Sequence, residues 1–79
     1  MEFVGNKGQD CTMNAGDTIE YATFGGGIRV VEVTQALENV KNGYPGFDGV
    51  IVDTANETEV GEKVWGYADQ ILKVNGEEV

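Results

Sequence analysis

Seventy-nine residues make one domain, and fourteen acidic against five basic side chains give it a formal charge of −9. Duplex DNA and anionic membranes repel such a field, whereas a basic protein surface is attracted to it. The apolar fraction of 41% is enough for a core and excludes disorder of the whole chain, while the absence of histidine and the single cysteine, Cys11, exclude an internal disulfide and a recognisable zinc site.

The first fifteen residues are the least committed. Met1-Glu2-Phe3-Val4 has the composition of a short strand, and Gly5 to Asp10 is turn material. Cys11 to Ala15 either pairs back onto Phe3 and Val4 as a hairpin or stays loose. The stretch MEFVGNKGQD has neither a basic leader region nor an apolar run, and nowhere does the chain approach the ~18 apolar residues of a membrane span. The expectation is a cytoplasmic protein that is not secreted and not membrane-bound. The Asn56-Glu57-Thr58 glycosylation acceptor is then a chance match.

Gly16-Asp17 turns into the first clear strand, Thr18–Phe24. Ile19 and Tyr21 fall on one face and Thr18 and Glu20 on the other, the two-residue period of a half-buried strand. Gly25-Gly26-Gly27 reads as a tight turn. A phosphate-binding loop would need a following lysine and helix, which are missing. Ile28–Thr34 is β-branched and reads as the second strand. Its alternation slips between Ile28/Val30 and Val31/Val33, so either both faces are covered or a bulge shifts the phase.

Gln35–Asn42 is ambiguous. Val33, Leu37 and Val40 stand at helical spacing, yet an irregular loop with room for a single helical turn is the favoured reading. Lys41 to Gly49 reads as a shaped loop, because it carries Asn-Gly and Pro-Gly turn dipeptides beside Tyr44 and Phe47. Gly49–Asp53 is the third strand. Thr54–Gly61 is a polar connection that holds Glu57 and Glu59 in solvent, followed at once by Glu62. Glu62–Tyr67 is the fourth strand, with Trp65 and Tyr67 on one face. Ala68-Asp69-Gln70 is the length of one 3₁₀ turn, and Ile71–Val74 closes the set. Residues 75–79 read as a polar tail.

Five short strands with glycine-marked turns and no long helix predict an all-β domain, a small five-stranded barrel over residues 16–74. The order of the connections and the strings Gly16-Asp17-Thr18-Ile19-Glu20-Tyr21 and Tyr67-Ala68-Asp69-Gln70-Ile71 resemble the SH3-like barrels of the KOW and Tudor type. That resemblance implies a 3₁₀ joint between the fourth and fifth strands. It does not carry RNA binding over, because KOW barrels are basic and this chain is acidic. The strings FGGGIR, VKNGYPGFDG and VWGYADQI are similar to short uncharacterised proteins of actinobacteria and their phages, which implies a cytoplasmic accessory protein and brings no activity with it.

No catalytic set can be written. Histidine is absent, Cys11 has no evident base, and Asp48 with Asp53 suggests neither a cleft nor a calcium loop. The expectation is a module without enzymatic activity, cofactor or metal. It would meet a basic or amphipathic protein partner through Tyr44, Phe47, Trp65 and Tyr67, rimmed by Glu57, Glu59 and Glu62. Trp65 is either core or contact surface on this reading. A self-assembling or virion-associated subunit is one alternative, with oligomeric state left open. A nucleic-acid mimic, or a KOW-like accessory of transcription or translation, is another.

Overall fold

In a computed structural model, which describes residues 1–55 and 57–79, the chain is all-β and every strand pairing is antiparallel. Asn56, and with it the glycosylation acceptor, lies outside the described residues. The strands are β1 (Glu2–Val4), β2 (Asp10–Thr12), β3 (Thr18–Ala22), β4 (Ile28–Lys41), β5 (Tyr44–Thr54), β6 (Lys63–Tyr67), β7 (Ile71–Val74) and β8 (Glu77–Glu78). Two 3₁₀ turns, Glu57–Glu59 and Ala68–Gln70, sit before β6 and β7.

The first two strands form a separate hairpin, with Phe3 opposite Cys11. The other six make one sheet in the order β6-β5-β4-β3-β7-β8. Strands β3 to β6 run as a meander. The chain then returns through the second 3₁₀ turn to lay β7 on the far side of β3. The outer strands β6 and β8 do not pair, so the sheet does not close into a barrel.

The long middle of the chain departs from the sequence reading. Residues 35–41 are strand, not a loop with a helical turn, and residues 44–49 are strand as well. The connection shrinks to Asn42 (φ 55°) and Gly43 (φ 82°), with Lys41 opposite Tyr44. Two consecutive left-handed residues make the hairpin turn whose twist matches its strands, and Lys41 pairs with Tyr44 at its edges, although the register shifts between Leu37 and Lys41. Gly46 and Gly49, which look like loop residues in the sequence, are close-approach positions inside β5. A Cβ on Gly49 would run into Val31 Cγ1 and stand 2.6 Å from the Glu32 carbonyl oxygen. The second strand keeps its alternation, with Ile28 and Val30 outward and Val31 and Val33 buried, and the bulge lies on its partner β5. Val30 faces Asp53 but Val31 faces Ile51, which leaves Val52 unopposed and exposed.

The core holds Met13, Ile19, Tyr21, Val31, Val33, Phe47, Ile51 and Ile71. Phe47 and Tyr21 meet edge to face at its centre, with ring centroids 5.1 Å apart. Phe47 therefore belongs to the core and not to the partner surface expected for it. The polar tail is also part of the fold. Strand β8 pairs with β7, and Val79 is buried against Gly5.

The N-terminal hairpin is clasped onto the second 3₁₀ turn. The Asn6 amide N–H donates to the Ile71 carbonyl (2.9 Å), and the Asn6 side chain donates to the Asp69 carbonyl (3.3 Å). Gln70 holds that turn from the other side. Its Oε1 accepts from the Tyr67 N–H (2.9 Å), and its Nε2 donates to the Ala22 carbonyl (2.8 Å).

Candidate aromatic interface

Strand β6 decides which aromatic residues face solvent. Its inner positions are Val64 and Gly66, and a Cβ on Gly66 would lie 2.8 Å from the Phe47 ring. The ring of Phe47 fills the space an inward side chain would need. The alternate positions, Trp65 and Tyr67, therefore turn outward, and Trp65 is 43% exposed.

Tyr67 is the centre of an aromatic cluster. Its ring meets Trp65 at 5.4 Å, Tyr44 at 5.9 Å and Phe24 at 6.3 Å between centroids, each edge to face. Phe24, at 84%, and Tyr44, at 62%, are largely in solvent. Phe24 stands at the β3–β4 turn and Tyr44 just after the β4–β5 turn. The second 3₁₀ turn contributes Ala68 and Asp69 to the same surface. These parts border an open groove of about 670 Å³, whose walls also include Val4 and Pro45. Large exposed apolar side chains gathered in one place mark an interaction surface more often than an inert one.

Two of the acidic residues expected to rim the site, Glu57 and Glu59, are elsewhere. Strand β5 begins at Tyr44 and ends at Thr54, and Glu57 and Glu59 lie in the 3₁₀ turn beyond that far end. Glu59 is engaged in a structural contact. Its carboxylate accepts from Arg29 Nη2 (2.9 Å) and Nε (3.3 Å) and from the Thr54 hydroxyl (3.3 Å), while Arg29 also donates to the Tyr21 hydroxyl (3.3 Å). The Tyr21 hydrogen bond first, and the Glu59 carboxylate second, hold the guanidinium proton more firmly than usual. Glu57 and Glu62 are exposed, and the Glu62 carbonyl closes the ladder by accepting from the Ile51 N–H (3.0 Å). The structure thus brings Tyr44, Trp65 and Tyr67 together and places Glu57 and Glu59 beyond the far end of β5, with Glu62 just ahead of β6.

Phe24, Val4 and Asp69 are site residues that sequence reasoning passed over. For Phe24 the signal was present. The buried phase of β3 runs Ile19 and Tyr21, and its continuation past the strand leaves Phe24 on the outward phase beside three glycines. Val4 and Asp69 are joined to the groove by the clasp of the N-terminal hairpin, which spans most of the chain and leaves no local pattern.

Burial pushes the Cys11 thiol up, so it is held protonated at neutral pH. Among the described residues no three His, Cys, Asp or Glu side chains gather where they would hold a metal ion, and no helix is long and apolar enough to cross a membrane. No family model, curated protein or solved structure matches the chain.

Proposed function

We propose that this chain is a non-catalytic protein-interaction module of SH3-like build, and that its aromatic groove takes a basic or amphipathic segment of a partner protein. The single observation that carries this reading is the Tyr67-centred cluster, in which Phe24, Tyr44 and Trp65 all reach solvent. Aromatic side chains supply large contact area at low entropic cost, which suits a recognition surface. The charge of −9, with Asp69 at the groove, gives a basic segment an attractive field. The SH3-like part of the reading is supported by element order, with three successive hairpins and then a 3₁₀ turn that returns β7 to β3.

An accessory role in the cytoplasm of a bacterium or a phage-infected host fits a small acidic binder of this kind. A second reading is self-assembly. Strand β6 pairs on one side only, with β5, and such an edge is a template for another chain. Lys63 at the start of β6 and the strand's five-residue length weigh against it, since both blunt an edge.

The test is an array of twelve-residue peptides graded in leucine and arginine content, screened against the wild type and against Tyr44→Ser and Tyr67→Ala. The reading expects the peptides rich in both residues to bind, and either substitution to abolish most of that binding at unchanged fold. Binding that is indifferent to both substitutions, or no binding at all, contradicts it.

A further inference from the structure

We infer that Lys41 is a built-in occupant of a cation subsite on the Trp65 ring, and that an arginine or lysine of the bound segment displaces it. The inference rests on the interaction reading above and adds which side chain of the partner is recognised, and where. Lys41 ends β4, across the Asn42–Gly43 turn from Tyr44, and its Nζ lies 5.2 Å from the Trp65 ring centroid. That is within the range over which a cation is held by the face of an indole.

Three of the four other basic residues show why this is informative, the fourth being Lys63 on β6. Lys7 rests on Glu78, Arg29 on Glu59 and Lys73 on Glu20. In a chain with fourteen carboxylates, Lys41 instead stands over an aromatic ring. A carboxylate stands beside the ring, with Lys63 also at the hollow they line. Asp48 is directly opposite Trp65 in the β5–β6 register, and both line a second hollow of about 500 Å³ with Thr34 and Lys63. The Trp65–Tyr67 contact joins that hollow to the aromatic groove. The surface therefore has two parts, an apolar groove around Tyr44 and Phe24 and a cation subsite on Trp65.

The contact between Lys41 and Trp65 is easily broken. Lys41 is exposed at a hairpin tip on a flexible four-carbon stem, and a solvent-exposed cation–π contact holds its cation only about two- to five-fold over water. Two residues of extended chain advance about 7 Å. A segment with an apolar residue in the groove and a basic residue two to four positions away spans both parts.

The test uses the tightest leucine–arginine peptide of the array and a copy in which citrulline, similar in shape but neutral, replaces arginine. Both are titrated into the wild type, Lys41→Met, Lys41→Gln and the charge-matched control Lys73→Met. Removing Lys41 by either substitution is expected to tighten the arginine peptide about two- to five-fold relative to the citrulline peptide, with no such change in the control. An unchanged arginine-to-citrulline ratio, or an equal change in the control, overturns the subsite and leaves the groove reading standing. An array with no binding peptide overturns both.

Discussion

Trp65 and Tyr67 stand two residues apart on β6 and meet edge to face at 5.4 Å, both turned away from the core. Gly66 between them lies against the Phe47 ring, so the core aromatic sets the direction of the surface pair. This division predicts two different costs. Phe47→Ala empties the centre of the core and should destabilise the domain by about 3–5 kcal/mol. Trp65→Ala loses an exposed edge-to-face contact and should cost no more than about 1.5 kcal/mol. Chemical denaturation of both variants measures the pair. Emission from the single tryptophan should be red-shifted and readily quenched by iodide, as a solvent-facing indole requires.

Gly49→Ala should be among the most damaging small substitutions in the chain. Its new methyl meets Val31 Cγ1 on one side and the Glu32 carbonyl oxygen at 2.6 Å on the other, and backbone cannot swing aside. Overpacking of this kind costs about 1–3 kcal/mol. Gly26→Ala, at φ 92° in the β3–β4 turn with open space around the added methyl, tests backbone strain without a clash. Thermal midpoints of the two variants should both fall, with Gly49→Ala the lower.

Gly49 also shows what was legible in the sequence and what was not. The strands of one buried face could be read directly, because Ile19 and Tyr21 alternate with polar residues. The 3₁₀ joint at Ala68–Gln70 and the shared face of Trp65 and Tyr67 follow from local spacing as well, but the direction of that face does not. The middle of the chain did not yield to that reasoning. Glycines and a proline at 43–49 have turn composition, but Gly46 and Gly49 are there because other strands pass close by. That requirement is tertiary, and local composition does not encode it. The same applies to Glu59. Nothing near it in sequence reveals that Arg29, thirty residues earlier, will hold it.

The Arg29–Glu59 pair is bidentate and partly shielded, with each side chain 27% exposed. Arg29→Met should destabilise by about 1 kcal/mol after allowance for solvent screening, and the loss should shrink in high salt. Binding of the peptide should be unaffected, because the pair stands beyond the far end of β5 from Tyr44. Denaturation at low and high ionic strength, beside a binding measurement, separates the two effects.

Lys7 Nζ donates to Glu78 at 2.6 Å and joins the N-terminal hairpin to β8. That hydrogen bond, and then the lysine's charge, hold the Glu78 carboxyl below the usual glutamate range. A carboxyl whose pKa falls on folding contributes stability above its unfolded pKa and loses it as pH drops through the folded value. Glu78→Gln should therefore be less stable than the wild type at pH 7, and the gap should close as pH falls through and below the glutamate range. Thermal melts of the two proteins across that window measure it.

The most direct test of the interaction surface is residue-by-residue mapping of the bound leucine–arginine peptide by amide chemical shifts. The predicted result is a set of perturbations concentrated on Phe24, Tyr44, Trp65, Tyr67 and Asp69, the residues that meet at the aromatic groove and its tryptophan edge. Perturbations concentrated instead on Glu57, Glu59 and Glu62, or spread evenly over the acidic surface, would contradict it.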